Sequence, residues 1–216
     1  MLEEMAQFFE NRLTGYDEHM LTEIKGAAEF YRFTAMQLPS DGNCAVLDLG
    51  CGPGLELEEY FVLNPRAEIT GIDLSEGMLS ALKSKFPDKS LHLICGSYFD
   101  VPFGEERFDA AVSVESLHHF TAARKRALYR KLRDSLKPGG CFILTDYFAE
   151  SEALEREYFE TLQRLRSGQG IAGDGFYHYD TPLTVEHEIK VLCSAGFAKC
   201  EVLKNWGATY TIRAVS

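Results

Sequence analysis

The sequence predicts an α/β domain: a mostly parallel, doubly wound sheet with helices on both faces. Three observations predict it. From Cys44 onward, short apolar runs alternate with amphipathic stretches, as in strand–helix–strand units. The first run, Ala45 to Leu49, breaks at Gly50, Gly52 and Gly54 and leads into an amphipathic helix from Leu55 to Phe61. The chain closes on two further runs, Lys199 to Lys204 and Thr209 to Ala214, too near each other to pair other than antiparallel.

Residues 1–40 read as a helical arm. Met5, Phe8, Phe9 and Leu13 form one apolar stripe, which Gly15 ends. Leu21, Ile24, Ala28 and Tyr31 continue a second helix until Pro39. Tyr16, followed by Asp17 and Glu18, falls in the break between the two. The arm is either a packing pair of helices or a lid over a ligand. Pro39 to Asn43 is a loop.

Strands are expected near 44–49, 67–72, 91–95, 108–114 and 140–146, with helices near 54–63, 75–85, 120–136 and 150–167. Crossovers between the parallel strands are right-handed by default. The helix at 120–136 buries Leu128, Leu132 and Leu136; its cations, among them Lys125, Lys131 and Arg133, are expected on a solvated face. Residues 167–182 interrupt the alternation. They hold Gly168, Gly170, Gly173, Asp174 and Gly175, then the aromatic run Phe176, Tyr177, His178 and Tyr179. Thr184 is the expected N-cap of the last helix, which stops near Gly196. The domain plan is therefore an arm, 1–40, and one domain, 41–216, with an insertion at 167–182.

Composition narrows the function classes. A chain of 216 residues, 45% apolar and 25% charged, builds a core without disulfide or metal staples. A formal net charge of −11 argues against broad electrostatic binding to nucleic acid or an anionic membrane. The six cysteines, Cys44, Cys51, Cys95, Cys141, Cys193 and Cys200, form no C-x-x-C pair, which argues for reduced, buried thiols in a cytoplasmic protein and against a zinc site of paired cysteines. The first residues are acidic and lack the basic start and apolar core of a signal peptide. No apolar run approaches the roughly 18 residues of a membrane span.

The glycine turn points to a ligand held by backbone at a helix N-terminus. Its spacing is G-x-G-x-G. A dinucleotide fingerprint needs a small residue where Leu55 stands. Asp73 ends the run from Ala67 to Ile72, about 20 residues past Gly50, where a carboxylate takes a ribose hydroxyl. Asp48, just before the glycines, suits a ligand carrying an ammonium or sulfonium and suits a pyrophosphate badly.

On these residues the chain resembles the class I S-adenosylmethionine (SAM)-dependent methyltransferases. The matching stretches, in the family's order, are Val46 to Gly54, Gly71 to Ser75 with Met78 and Leu79, Gly96 to Phe103, Phe108 to Val112, and Leu136 to Gly140. The resemblance implies a Rossmann-like seven-stranded sheet, order 3-2-1-4-5-7-6 with strand 7 antiparallel, and SAM as cofactor. It also implies a cofactor site. Gly50, Cys51, Gly52 and Gly54 would approach the methionine portion, and Asp48 would help hold its amino group or else brace the loop. Asp73 would take the ribose hydroxyls, while Leu74 and Met78 would pack on adenine. Many relatives have an aspartate where Ser97 stands; Ser97 and Tyr98 are expected to replace it at the adenine. Tyr16 from the arm and Glu115 are expected beside the cofactor.

Methyl transfer is an in-line displacement that mainly needs alignment and exclusion of water, with a base only when the acceptor must lose a proton. No single catalytic residue follows from motif. Candidates are Glu115, His118 and His119 after the strand at 108–114, Asp146 after the next strand, and His178 in the insertion. Glu115 and Asp146 could share a divalent metal, but Tyr147 stands where metal-dependent relatives carry a third ligand, so no metal is expected. The expected acceptor is a small molecule. A non-catalytic SAM-binding subunit and an RNA methyltransferase are the alternatives.

Overall fold

β1 (Ala45–Leu49) lies at the middle of the parallel part of the sheet because both its faces are covered. Val46, Leu47 and Leu49 are fully buried, and β1 pairs in parallel with β2 (Glu68–Asp73) on one side and β4 (Phe108–Val114) on the other. The structure, a computed structural model, describes residues 1–173 and 175–216; Asp174 of the insertion lies outside the described residues. β3 (Ser90–Cys95) adds to β2, and β5 (Leu136–Tyr147) adds to β4, both in parallel. β7 (Thr209–Val215) pairs antiparallel with β5 and with β6 (Lys199–Trp206), giving seven strands in the order 3-2-1-4-5-7-6. The expected topology and the antiparallel strand are both present.

Alternation along the strands splits the core in two. Leu47, Leu49, Phe142 and Leu144 face α6 (Ala122–Ser135) and α8 (Val185–Ser194). Val46, Ala110, Val112 and Ile143 face α3 (Ala27–Ala35), α4 (Leu55–Leu63) and α5 (Glu76–Lys85). α7 (Glu152–Gly168) leads into the insertion and has no fully buried residue. Among the described residues no helix is long and apolar enough to cross a membrane.

Four details differ from the sequence reading. The arm holds three short helices, not two: α1 (Met5–Glu10), α2 (Tyr16–Glu23) and α3. Gly26 splits the second stripe because it has φ +82° and a Cβ there would lie 2.9 Å from Trp206, a contact from the far end of the chain. Tyr16 accordingly opens α2, with Gly15 as its N-cap. The helix expected to end at 136 ends at Ser135, and β5 starts at once with Leu136 paired to Phe108.

The cationic helix is not simply solvated. Lys125 is 1% exposed and its Nζ lies 2.5 Å from Glu188 Oε2 on α8, with the Tyr129 hydroxyl donating to the same carboxylate. Lys131 Nζ donates to the carbonyls of Tyr98, Phe99 and Val101 at 2.7, 2.9 and 2.8 Å. The cysteines also divide. Cys44, Cys51 and Cys141 are buried, whereas Cys95 and Cys193 are exposed and Cys200 is half-buried; all six are free thiols.

The arm and the insertion, far apart in sequence, are joined. Glu4 and Tyr177 form an antiparallel bridge, flanked by Met5 N donating to Phe176 O and His178 N donating to Glu3 O, both at 3.0 Å. The His178 ring stacks on Phe8 with centroids 3.4 Å apart. Gln169 Oε1 accepts from Leu2 N at 2.7 Å.

Candidate active site

The C-terminal ends of β1, β2 and β4 open onto one cleft, as the crevice rule for open α/β sheets requires. Gly50, Gly52, Asp73, Leu74 and Met78 line its floor; Tyr98, Glu115 and His119 line one side, and Met5, Phe9 and Tyr16 of the arm lie over it.

The three glycines serve different ends. A Cβ on Gly50 would sit 2.1 Å from Ser116 Oγ, and one on Gly54 would sit 2.4 Å from Leu82 Cδ1, so both permit close internal packing. Gly52, at φ +46°, would meet nothing within 4 Å. It leaves a backbone cradle facing the cleft, the space a ligand at this turn requires.

Asp73 braces that cradle. Its Oδ2 accepts from Gly52 N and its Oδ1 from Ser75 N, both at 2.9 Å. Ser75, not Asp73, caps α5, accepting from Met78 N at 3.1 Å and donating to Glu10 Oε2 of the arm at 2.6 Å. Burial raises the Asp73 carboxyl above its usual range, and its backbone donors oppose the rise. Carboxylate oxygens have further lone pairs free for a hydroxyl donor.

Four expected cofactor residues stand behind the lining. Asp48 is 1% exposed, and among the described residues no amide, amine or alcohol group donates to either of its oxygens. It faces Glu56, itself 4% exposed, and burial followed by the Glu56 charge pushes its carboxyl well up. Two carboxyls packed together need a proton between them, so this pair carries less than two negative charges. Nothing in the sequence singles out Glu56, since an acid early in a helix is ordinary; only the fold shows it buried. Cys51 is buried and packs toward Gly71. Gly54 is taken up by its contact with Leu82. Ser97 Oγ accepts from Phe99 N at 3.1 Å within its own turn.

A second cavity, of about 730 Å³, adjoins the first; Phe9, Tyr16, Glu115 and His119 border both. Phe8, Arg12, His118, Tyr147, His178 and Asp180 complete the part of its wall that matters here. Every catalytic candidate except Asp146 therefore lies on its wall. Glu115 takes φ +48°, a conformation unusual for a side chain other than glycine and often found at functional sites. Its Oε1 accepts from Thr209 Oγ1 at 3.1 Å, and burial followed by the Asp146 charge pushes its carboxyl up to about 7.

Asp146 is 1% exposed and accepts three hydrogen bonds: Oδ1 receives His118 Nδ1 at 2.6 Å and Tyr147 N at 2.9 Å, and Oδ2 receives Leu117 N at 2.9 Å. Burial alone would lower the His118 imidazole, but the Asp146 carboxylate outweighs it and holds it up at about 9. His119 is held down at about 4 by burial and by neighbouring His118. Asp180 Oδ1 lies 3.6 Å from His118 Nε2 and 3.2 Å from His119 Nδ1. Burial would raise its carboxyl, but the facing histidines hold it at about 2.

A doubly wound sheet in this strand order, with a backbone cradle after β1 and an acid ending β2, is of Rossmann-like form. Residues 46–140 match a family model described as a methyltransferase domain. The chain is 30% identical over 222 residues to a carboxy-S-adenosyl-L-methionine synthase of Wolinella succinogenes, covering 94% of this chain and 88% of that protein. It is 34% identical over 116 residues to a tRNA (carboxymethyluridine(34)-5-O)-methyltransferase of Arabidopsis thaliana, covering 53% of this chain but only 26% of that protein's length. Human N-acetylserotonin methyltransferase, solved in complex with SAM, superposes with a TM-score of 0.64 at 20% identity, over 98% of this chain and 55% of that one. The chain belongs to the class I SAM-dependent methyltransferase family, and its cofactor is SAM.

Proposed function

We propose that the protein transfers the methyl group of SAM to a small-molecule acceptor held in the cavity between the arm and the insertion. The observation that carries this reading is the shared wall. Phe9, Tyr16, Glu115 and His119 border both the cofactor cleft and the 730 Å³ cavity, so a molecule in the second reaches the reacting end of the first. The cavity's size suits a metabolite. The bridge between Glu4 and Tyr177 joins two of the segments that border it, which disfavours a folded polynucleotide, as does the net charge of −11.

In this reading the cradle at Gly50 and Gly52 takes the methionine portion, with Cys51 and Gly54 shaping the turn. Asp73 takes ribose hydroxyls, and ionised acceptors make the stronger hydrogen bonds. Leu74, Met78 and Tyr98 pack on adenine, with Ser97 setting the turn that presents Tyr98. Asp48, paired with Glu56, supports the turn from behind. SAM supplies an electrophilic methyl on a sulfonium that leaves as a neutral thioether. The chain's own residues align the nucleophile and keep water out: Phe8, Phe9 and Tyr147 supply apolar wall, and Glu115, its carboxyl pushed up to about 7, receives a proton where the acceptor carries one.

The test is methyl-labelled SAM offered against a small-molecule extract and, separately, bulk tRNA. Label should enter the small-molecule fraction; label in tRNA would overturn the reading. A second reading is favoured by the whole-chain similarity to a carboxy-SAM synthase: SAM itself would be the molecule modified. Mass spectrometry of the nucleoside that co-purifies with the protein separates the two, because a carboxylated product is heavier than SAM.

A further inference from the structure

The cavity wall holds a cluster that methyl transfer does not require. His118 Nε2 and His119 Nδ1 converge on one oxygen, Oδ1 of Asp180, at 3.6 and 3.2 Å. We propose that His118, His119 and Asp180 form a binding site for a divalent first-row transition-metal ion of the zinc type, with open coordination positions facing the acceptor cavity.

Three features support this. The first is spacing. Imidazole nitrogens and carboxylate oxygens bind such ions at roughly 2.0–2.2 Å, which places neighbouring donors about 3–3.5 Å apart. The two separations to Asp180 fall close to that range, and all three donor atoms lie within 4.8 Å of one another. The second is an unpartnered donor atom. His119 is 8% exposed, and among the described residues its Nδ1 has only the Asp180 carboxylate as a neighbour, at 3.2 Å and without a well-aligned hydrogen bond. Buried polar atoms left without partners are uncommon in folded proteins. The third is the support behind His118. Its Nδ1 is held at 2.6 Å by the buried carboxylate of Asp146, which directs Nε2 toward Asp180. Metal-binding histidines characteristically have such a carboxylate on the ring nitrogen that faces away from the metal.

The chemistry of the donor set narrows the ion. Two imidazoles and one carboxylate suit zinc or ferrous ion rather than calcium or magnesium, which prefer oxygen donors. The site differs from the one weighed from sequence, Glu115 with Asp146. Asp146 accepts three hydrogen bonds, one of them from His118 Nδ1, and stands behind the cluster as a positioning residue. His118 and His119 are adjacent in sequence, but Asp180 is about 60 residues further on, so no C-x-x-C-like spacing could reveal them. A metal here would offer its open positions to an acceptor oxygen, nitrogen or sulfur. The proposal concerns metal binding alone and stands whether or not a small-molecule acceptor is found.

The experiment titrates the purified, metal-stripped full chain with Zn²⁺ by calorimetry and with Co²⁺ by visible absorption. One ion per chain should bind, and Co²⁺ should show ligand-field bands. Asp180→Asn and His119→Ala should each weaken binding at least ~10-fold, and Asp146→Asn by about 10–100-fold with altered bands, as expected when a supporting carboxylate is lost. Asp180 has a 41% exposed side chain, so Asp180→Asn keeps the test open if His119→Ala fails to fold. Cys193→Ser should leave binding unchanged, which separates this site from the two thiols 3.7 Å apart at Cys193 and Cys200. Absence of stoichiometric binding in the wild-type chain overturns the proposal. So does binding that survives Asp180→Asn and His119→Ala at full strength.

Discussion

The cleft at the glycine turn and the larger cavity beside it share a wall but are built by opposite means. The cleft is made chiefly of backbone: a glycine cradle, amides presented at a strand end, and one acid, Asp73, bonded to Gly52 N and Ser75 N. The turn and its acid, Gly50 to Ser75, lie within about 25 residues of one another along the chain, with Tyr98, Glu115 and the arm completing the lining. The cavity and the packed face of α6 and α8 are made of side chains brought from far apart. Thr209 meets Glu115 across 94 residues, and Lys125 meets Glu188 across 63. A site made of local backbone tolerates little change in residue type at the turn. One made of distant side chains depends on helix docking.

The largest effect that would sharpen this contrast is expected at Gly52. Gly52→Val places a β-branched side chain in the open cradle and at φ +46°, so calorimetry should detect no SAM binding at millimolar ligand while circular dichroism still reports a folded chain. Retained binding would show that the cradle does not face the ligand.

Next comes Lys125→Met, which leaves Glu188, 0% exposed, without its cation. Breaking a buried ion pair on one side costs about 3–5 kcal/mol, and chemical denaturation should show that loss. Stability equal to wild type would remove long-range side-chain pairing as the basis of this half of the molecule.

Asp73→Ala is expected to weaken SAM binding by about 1.5–3 kcal/mol for each charged hydrogen bond lost. Because Asp73 also holds Gly52 N, some of that loss should come from a loosened turn, visible as faster amide exchange at Gly52 in the unliganded chain. Equal affinity in both proteins would place the ribose elsewhere.

The pair behind the turn gives a pH test. Asp48 and Glu56 both have carboxyls raised above their unfolded values by burial. The folded state therefore holds its protons more tightly than the unfolded state does. The stability this confers is full below the unfolded carboxyl pKa near 4 and is lost as pH rises through the folded values. Asp48→Asn cannot ionise, so its melting temperature relative to wild type should be higher at pH 8 than at pH 5. A difference that does not change with pH would mean the pair is not protonated.

The smallest expected effect is in dynamics. With S-adenosylhomocysteine bound, hydrogen exchange should slow in residues 8–20 and 167–180 if arm and insertion act as a lid. Protection confined to the Gly50–Gly54 turn and the Asp73 loop would leave them as fixed packing.

Much of the cofactor half was legible in the sequence. Glycines at 50, 52 and 54 after an apolar run, and an acid ending the next strand, can form only a few local structures, and those structures place backbone amides and a carboxylate together. Thr184 was equally legible as an N-cap, and its side chain does accept from His187 N. Periodicity misled where two stripes ran in register through Gly26, because the reason for that break is Trp206, about 180 residues away. It misled again at Lys125, since a charge on a helix reads as solvated until its partner's position is known.

By itself, then, the sequence determined the sheet, its order once the resemblance was recognised, the cradle and Asp73, because these follow from local backbone preference and from the alternation of strand and helix. Only the tertiary structure decided that Asp48 faces Glu56, that the arm bridges to the insertion at Tyr177, and that His118, His119 and Asp180 converge. Each of those is a contact between side chains or edges whose separation in space is set by the packing of whole elements, and residue type and spacing carry no record of it.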